Sequence, residues 1–322
     1  MIENVTDAAL IIAYRRWENV AELIEILRVQ GIKRIYIAID RNSSSDLPLS
    51  VDVDKTIEIA INARRQVEAI YVSVHSENVG CSAAVLSACD WFFENEEFGL
   101  VFEDDCIPAT EFFTYANKSK QVIKSNNDVW LFCGTQFATD LPNQDSWSLS
   151  KYALIWGWGT SREKWKQIAL ALKNDALNVY DRNISIAEKQ YWKAGALRSS
   201  SGIVDAWDNV LIQRMLCLGK KAILPQFSLV TNIGNDSAAT HTIGNSSWLR
   251  MKTGSFGIPT HDPSENPILD LWLKNKFYKI SIRHILTTRI TNLLDLIAMR
   301  KTRVVRLATR WENARKNLTP LQ

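Results

Sequence analysis

The stretch Phe98-Gly99-Leu100-Val101-Phe102-Glu103-Asp104-Asp105-Cys106-Ile107-Pro108 decides how the rest of this chain is interpreted. Its apolar run, 100–102, predicts a short buried strand, and Pro108 is expected to mark where that strand stops. Three consecutive carboxylates then stand at the C-terminal end of a buried strand, where open α/β sheets bind ligands. Clustered negative charge needs compensation, and hard oxygen ligands suit Mn²⁺ or Mg²⁺. A solvated acidic turn is the alternative.

Length and composition indicate a globular protein with a sizeable core. The 322 residues are enough for one large domain, or for one domain with an appendage, and 46% of them are hydrophobic. The five cysteines form no CxxC pair, which indicates reduced thiols in a cytosolic protein rather than a disulfide framework or a zinc site. No signal-peptide pattern and no window of 18 apolar residues occurs, so we expect neither secretion nor a membrane span.

Strand-like and helix-like segments alternate along the chain. Alternation of this kind predicts βαβ units and a mostly parallel, Rossmann-like sheet flanked by helices. The predicted strands before the acidic triplet are 8–13, 33–39 and 67–74, and the predicted helices are 18–29, 54–65 and 82–94. Beyond the triplet, the predicted helices are 111–123, 161–170 and 209–218, and the predicted strands are 129–133 and 222–230.

Charged side chains follow two of the predicted strands. Asp40 ends the second strand, and Arg15 and Arg16 follow the first. Because the carboxyl ends of parallel strands meet at one edge of a sheet, we expect these side chains near the acidic triplet. A basic pair beside acids fits a metal-bridged diphosphate. For the two arginines, a solvated helix start is the alternative.

Three further segments carry candidate functional residues. Tryptophan and glycine alternate around Trp158 and Gly159, and such aromatic faces commonly stack on sugar rings, although core packing is the alternative. Asp205 and Asp208 precede a predicted helix that either of them could cap. The polar loop 231–245 follows a predicted strand and is interpreted as a mobile lid.

Taken in order, these motifs resemble those of the GT-A-fold glycosyltransferases. The pattern is similar to bacterial nucleotide-sugar transferases labelled haemolytic-protein-like, which are similar in turn to N-acetylglucosaminyltransferase I. Motif order and spacing agree over roughly residues 8 to 262. The matching segments are Asn78-Val79-Gly80-Cys81, Glu103-Asp104-Asp105, Gly157-Trp158-Gly159-Thr160, Trp207-Asp208, Thr231-Asn232-Ile233-Gly234 and Ala239-Thr240-His241-Thr242.

The resemblance implies a role for each acid of the triplet. Asp105 would bind Mn²⁺ or Mg²⁺, which bridges the diphosphate of the donor. Glu103 and Asp104 would contact the nucleotide or sugar, or orient water molecules on the metal. Asp208 would be the catalytic base. The family often shows a second acid or an aromatic residue just after this Trp-Asp, which is absent here, so Asp205 competes for the role of base.

The resemblance implies the other ligand contacts as well. Asp40 and Arg15 would hold the base and phosphates of the nucleotide. The remaining residues implied in binding the nucleotide sugar are Gly80, Trp158, Gly159 and His241.

The predicted function is metal-dependent, inverting transfer of a sugar from a nucleotide diphosphate sugar. The resemblance favours a UDP-sugar, with a glycan or lipid-linked glycan acceptor in bacterial surface polysaccharide synthesis. Two alternatives stay open: nucleotidyl transfer to sugar phosphates, and a non-catalytic protein that binds carbohydrate or membrane. Nucleotidyl transfer would favour a Gly-rich basic loop after the first strand, and the chain has Tyr14-Arg15-Arg16 there.

The end of the chain is basic. We predict a GT-A domain over residues 1–262 and a helical appendage over 263–322. Residues 271–322 hold twelve lysines and arginines against two acids, with apolar residues at helical spacing. A basic amphipathic helix predicts peripheral binding to an anionic inner membrane surface, and packing on the catalytic domain is the alternative. No nucleic-acid motif occurs, so we expect no nucleic-acid partner.

Overall fold

The structure is a computed structural model that describes residues 7–41, 51–138, 141, 145–234, 254, 256–257, 259, 261–281 and 306–321. The first third of the chain folds as the alternation predicts. Four parallel strands alternate with three helices, and most residues of each strand are buried. In chain order the elements are β1 (Ala8–Ala13), α1 (Trp17–Val29), β2 (Arg34–Ile39), α2 (Val51–Ala63), β3 (Ala69–His75), α3 (Cys81–Asn95) and β4 (Phe98–Glu103).

The rest of the described chain mixes short strands with longer helices. A π-helical turn, Leu273–Phe277, directly follows the short helix Pro267–Trp272. The elements are β5 (Cys106–Pro108), α4 (Thr110–Ser125), β6 (Val129–Cys133), β7 (Trp147–Ser150), β8 (Trp158–Ser161), α5 (Arg162–Lys173), α6 (Ile186–Ser200), α7 (Trp207–Leu218), β9 (Lys221–Pro225), β10 (Val230–Asn232), α8 (Pro267–Trp272), α9 (Leu307–Asn317) and β11 (Leu318–Pro320).

One large sheet organises the described residues, in the strand order β11-β3-β2-β1-β4-β8-β6-β9-β7. The predicted parallel arrangement is confirmed for β3-β2-β1-β4 and for β6 beside β9. Strand β8 runs antiparallel to both β4 and β6, and β7 and β11 are antiparallel edge strands. The sheet is therefore mixed, with a parallel half that is the predicted Rossmann-like part.

Two predictions about strand ends are wrong. Strand β4 ends at Glu103, and Pro108 is the last residue of a second short strand, β5, which pairs antiparallel with β10. Proline is tolerated there because β5 is an edge strand with only one partner. The predicted strand 222–230 is two strands, since the chain leaves the large sheet at Pro225 and begins β10 at Val230.

Helices cover both faces of the large sheet, giving three layers. One core layer joins one face of the sheet to α1, α2 and α4. The opposite layer joins the other face to α3, α5, α6, α7 and α9, and it is rich in tryptophan. None of the helices that the structure describes is long and apolar enough to cross a membrane.

The described residues beyond 262 belong to the same core. Leu269, Leu273, Trp311 and Leu318 are buried in the tryptophan-rich layer. Strand β11 also adds to the large sheet by pairing with β3. Among the described residues, those after 262 therefore share the core of the residues before it and do not form a core of their own. Residues 282–305, which hold much of the predicted basic amphipathic helix, lie outside the described residues.

Candidate active site

A cleft of about 500 Å³ opens at the carboxyl ends of β1, β2 and β4. The N-terminal turns of α3 and α7 and the end of β10 form its other walls. This is the edge at which open α/β sheets bind ligands. The charged and amide side chains in its wall are Arg16, Asp40, Asn78, Glu103, Asp104, Asp105, Asp205, Asp208 and Asn232.

Asp104 binds the segment that connects β1 to α1. Its Oδ2 accepts hydrogen bonds from the backbone N–H groups of Tyr14 (2.8 Å) and Arg15 (3.3 Å), and its Oδ1 lies 3.0 Å from Arg16 Nη1. The residue is 4% exposed. Asp104 therefore fixes the connection between β1 and α1. Both oxygens of its carboxylate already have partners in the protein, so a nucleotide or sugar would have to share them.

Asp105 sits at the mouth of the cleft between β4 and the end of β10. Asn232 Nδ2 donates to its Oδ1 (3.3 Å), and Arg16 Nη1 lies 3.5 Å from its Oδ2. Its backbone oxygen accepts from Ile233 N (2.8 Å). Gly234 passes so close that a β-carbon there would overlap the carboxylate. Asp105 is thus held in place while its carboxylate still lines the cleft.

Among the described residues, acidic side chains outnumber basic ones in the wall of the cleft. We refer to Glu103, Asp104, Asp105 and Asp208 as the cleft acids. Burial, followed by repulsion from the other cleft acids, raises the pKa of Glu103 to about 8, against the opposing effect of Arg16. Burial and Asp104 likewise raise the pKa of Asp105. A site that holds carboxylates against their preference for solvent is suited to a bound cation.

The residues fit a divalent cation in one specific way. Among the described residues, no three histidine, cysteine or acidic side chains converge to enclose a metal ion. Mg²⁺ and similar ions are, however, commonly held by one or two carboxylates and completed by substrate phosphates. Asp105 offers such a carboxylate at the cleft mouth, so the donor set fits a cation that arrives with a phosphate ligand.

Of the two predicted arginines, Arg16 lines the cleft and Arg15 does not. Besides its contacts with the acids, Arg16 Nη2 donates to Gly234 O (3.4 Å). The Arg15 guanidinium lies instead 5.5 Å from the centre of the Tyr14 ring. The two arginines are adjacent in a short connection, and their side chains point in different directions. The sequence alone could not predict which of them lines the cleft.

Asp40 lies in the cleft wall, but its carboxylate faces the turn that opens α3. It accepts hydrogen bonds from Val79 N (3.0 Å), Gly80 N (3.2 Å), Asn78 Nδ2 (3.2 Å) and Arg41 N (3.0 Å). Burial raises its pKa to about 6 against these hydrogen bonds. Asp40 thus orients the turn, and Gly80 lines the cleft with a φ of +81° that favours glycine.

The two candidate bases lie in the same wall in different environments. Asp205 accepts from Ser82 N (3.0 Å) and lies 3.3 Å from Arg310 Nη2. Burial opposes ionisation of Asp205, but Ser82 and Arg310 outweigh it and lower its pKa. Asp205 therefore caps α3, rather than the helix that follows it in sequence. Asp208 lies in the first turn of α7, and its charge raises the pKa values of Glu103 and Tyr191.

The Trp/Gly segment contributes a different tryptophan from the one predicted. Trp158 is 2% exposed and packs against Trp165 and Trp207 in the core. Gly159 lies in β8 against Phe132, away from the cleft. Trp156 lines the cleft instead. In a regular strand, side chains two residues apart point to the same face. Gly157, with a φ of +63°, departs from strand geometry between the two tryptophans, so they point in different directions.

The remaining residues to compare with the sequence are those of the predicted lid, Asn232 and Arg310. His241 and residues 235–245 of the predicted lid lie outside the described residues. Asn232, at the end of β10, belongs to a matching segment and to the predicted lid, and its Nδ2 donates to Asp105, a contact that the sequence does not predict. Arg310 was counted only as a basic residue of the tail, and no short-range signal could have linked it to the cleft.

Comparison with known proteins yields a structural neighbour but no family. Neither protein-family models nor curated proteins match the chain. A similar solved structure is UDP-glucose pyrophosphorylase complexed with UDP-glucose, at 12% sequence identity and a TM-score of 0.38. The similarity covers 69% of this chain and 90% of that chain. The site is therefore interpreted from its own geometry.

Proposed function

We propose that this protein is an enzyme that binds a nucleotide diphosphate sugar in the cleft and transfers its sugar to an acceptor hydroxyl with inversion. The observation that carries the proposal is the excess of carboxylates at the carboxyl end of β4. A diphosphate donor accompanied by a divalent cation is a ligand whose charges would compensate such a site.

Asp105 is the proposed ligand for Mn²⁺ or Mg²⁺. Bound there, the cation would neutralise charge on the departing diphosphate. Asn232 and Arg16 hold the Asp105 carboxylate in place, which reduces the reorganisation needed when the ligand binds. Glu103 also lines the cleft, where it would contact the sugar of the donor or a water molecule on the cation.

Asp208 is the proposed general base. Its position in the cleft wall, in the first turn of α7, supports this role. A carboxylate beside the acceptor hydroxyl would accept its proton as the oxygen attacks the sugar carbon. Trp156 offers an apolar face in the same cleft for a sugar ring.

Nucleotidyl transfer is the rival reaction, and one contact disfavours it. That chemistry would place a phosphate on the backbone N–H groups after β1. Here the N–H groups of Tyr14 and Arg15 donate to Asp104, so these donors are already occupied. This favours glycosyl transfer as the proposed reaction.

Product analysis separates the possibilities. The protein would be incubated with Mn²⁺, a panel of nucleotide sugars and candidate acceptors, including glycans and lipid-linked glycans. Release of nucleoside diphosphate with a glycosylated acceptor would support the proposal. Exchange of labelled pyrophosphate into nucleoside triphosphate would identify a nucleotidyltransferase. Binding without any product would leave a carbohydrate-binding or membrane-binding protein.

The proposed location is the cytoplasm, with peripheral contact to an anionic inner membrane surface. Its support is the basic composition of residues 271–322. Sedimentation with vesicles that contain phosphatidylglycerol should fall as salt rises. Equal sedimentation with neutral vesicles would contradict this part of the proposal.

A further inference from the structure

The turn that opens α3 forms part of the cleft wall and is held from two sides. On one side, Asp40 accepts hydrogen bonds from Val79 N (3.0 Å) and Gly80 N (3.2 Å). On the other side, Asp205 Oδ1 accepts from Ser82 N (3.0 Å). The first N–H groups of a helix have no partner within the helix, so these carboxylates satisfy two of the donors that the start of α3 leaves open, Gly80 N and Ser82 N.

Arg310, on α9, joins the two ends of this arrangement. Its Nη2 donates to Val79 O (3.0 Å) and to Asp205 Oδ2 (3.3 Å). Gly80 passes directly beside this contact, because a β-carbon there would lie 2.6 Å from Asp205 Oδ2 and closer still to Arg310 Nη2. One guanidinium group therefore connects a carbonyl of the turn to the carboxylate that caps α3.

Helix α9 is anchored firmly enough to hold that geometry. Trp311, the neighbour of Arg310, is 1% exposed and lies 6.3 Å from Trp165 between ring centroids. Lys173 Nζ lies 4.2 Å from the centre of the Trp311 ring. Directly after α9, strand β11 pairs with β3 in the large sheet. The position of Arg310 is thus fixed by the core and by the sheet, not by its surface contacts.

We propose that Arg310 is a positioning residue for ligand binding, which fixes the 78–81 turn against Asp205 so that α9 completes the cleft. The wall that Asn78 and Gly80 form then keeps one shape in the absence of ligand. The contact also gives Asp205 a structural role at the start of α3. The ligand named here, a nucleoside diphosphate, rests on the proposed function, whereas the contact between Arg310 and the turn does not.

The test compares two arginines of the same helix. Arg310→Met removes the guanidinium from the turn, and Arg315→Met is the matched control because Arg315 pairs with the partly exposed Glu94. Hydrogen exchange at the amides of residues 80–82 is measured without ligand. Isothermal titration with UDP and Mn²⁺ follows, together with KM and kcat for transfer. Arg310→Lys is included because it keeps the charge but loses the planar fork.

We expect faster exchange at residues 80–82 and UDP binding weakened on the order of tenfold in Arg310→Met, with wild-type behaviour in Arg315→Met. KM should rise more than kcat falls, and Arg310→Lys should recover part of the affinity. Unchanged exchange at residues 80–82 in Arg310→Met would overturn the inference, and so would equal loss in both variants. Absence of binding by the wild-type protein to UDP, GDP, ADP and CDP in the presence of Mn²⁺ would contradict the proposed function, while the exchange experiment would still decide whether Arg310 holds the turn.

Discussion

Two buried clusters of ionisable groups in this molecule are built in opposite ways. In the first, Glu188 Oε1 accepts from Lys151 Nζ (2.7 Å) and Tyr152 Oη (2.6 Å). Its Oε2 accepts from Ser185 Oγ (2.5 Å) and lies 3.1 Å from Lys274 Nζ. We call these five residues the Glu188 cluster. The second cluster is that of the cleft acids, which has Arg16 as the cation in its wall.

The difference appears in the pKa values. Burial would raise the pKa of Glu188, but hydrogen bonds from Lys151, Ser185 and Tyr152 outweigh it and lower the pKa to about 2. In the cleft, burial and neighbouring acids raise the pKa of Glu103 to about 8. Buried charge that the protein compensates itself stabilises the fold. Buried charge that it leaves in excess is a feature of sites that bind ligands.

The largest expected effect comes from removing the proposed base. Asp208→Asn should lower kcat by about 10² to 10⁴ while nucleotide affinity stays near that of wild type, because general-base loss acts on the chemical step. Steady-state kinetics and calorimetry measure the two quantities. In the paired variant Asp205→Asn, KM should change more than kcat. Full activity of Asp208→Asn with an inactive Asp205→Asn would assign the base to Asp205.

Breaking the Glu188 cluster should cost stability instead of activity. Glu188→Gln leaves Lys151 and Lys274, which are both partly buried, without their negatively charged partner, so we expect a loss of about 3–5 kcal/mol in the free energy of unfolding at pH 7. Because the folded pKa of Glu188 lies below its unfolded value, this contribution is present above about pH 4.5 and disappears as pH falls toward 2.

Urea unfolding across this pH range measures the effect of Glu188→Gln. Glu97→Gln is the control, because Glu97 forms an ion pair with Arg162 while its side chain is 81% exposed. Near wild-type stability is expected for that surface pair. A difference between Glu188→Gln and wild type that stayed constant down to pH 2 would contradict the assignment of the stabilising charge to Glu188.

In the cleft, removal of an acid should have the opposite sign. Asp105→Asn relieves repulsion with its neighbours and keeps an oxygen acceptor for Asn232, so the ligand-free protein should gain about 1 kcal/mol in the free energy of unfolding. The same variant should lose Mn²⁺-dependent nucleotide binding. Urea unfolding and calorimetry test the two halves. A destabilised variant with unchanged metal affinity would show that Asp105 serves the fold and not a ligand.

Features that depend on neighbouring residues could be predicted from the sequence, and features that depend on distant residues could not. The parallel half of the sheet was predictable because its signals are local: Val20, Leu23, Ile24 and Leu27 recur at helical spacing and are all buried on α1. The cleft acids were found because three of them are consecutive at a strand end. Long-range contacts left no such signal.

Three long-range or conformational features illustrate this limit. Strand β11 pairs with β3, some 240 residues earlier in the chain, so its three residues carry no pattern of their own. Arg310 meets Asp205 across a separation of 105 residues. At Trp156 and Trp158 the alternation was visible, but the positive φ of Gly157 between them decides which ring lines the cleft.

The central claim is that the cleft acids form a site for a cation that binds together with a nucleoside diphosphate. Its most direct test is the melting temperature of the wild-type protein with Mn²⁺ alone, with UDP, GDP, ADP or CDP alone, and with each pair. Mn²⁺ and one of these nucleotides together should raise the melting temperature by about 5 °C at a hundredfold excess over Kd, well above the effect of either alone. No shift with any pair, or a shift that does not require Mn²⁺, would contradict it.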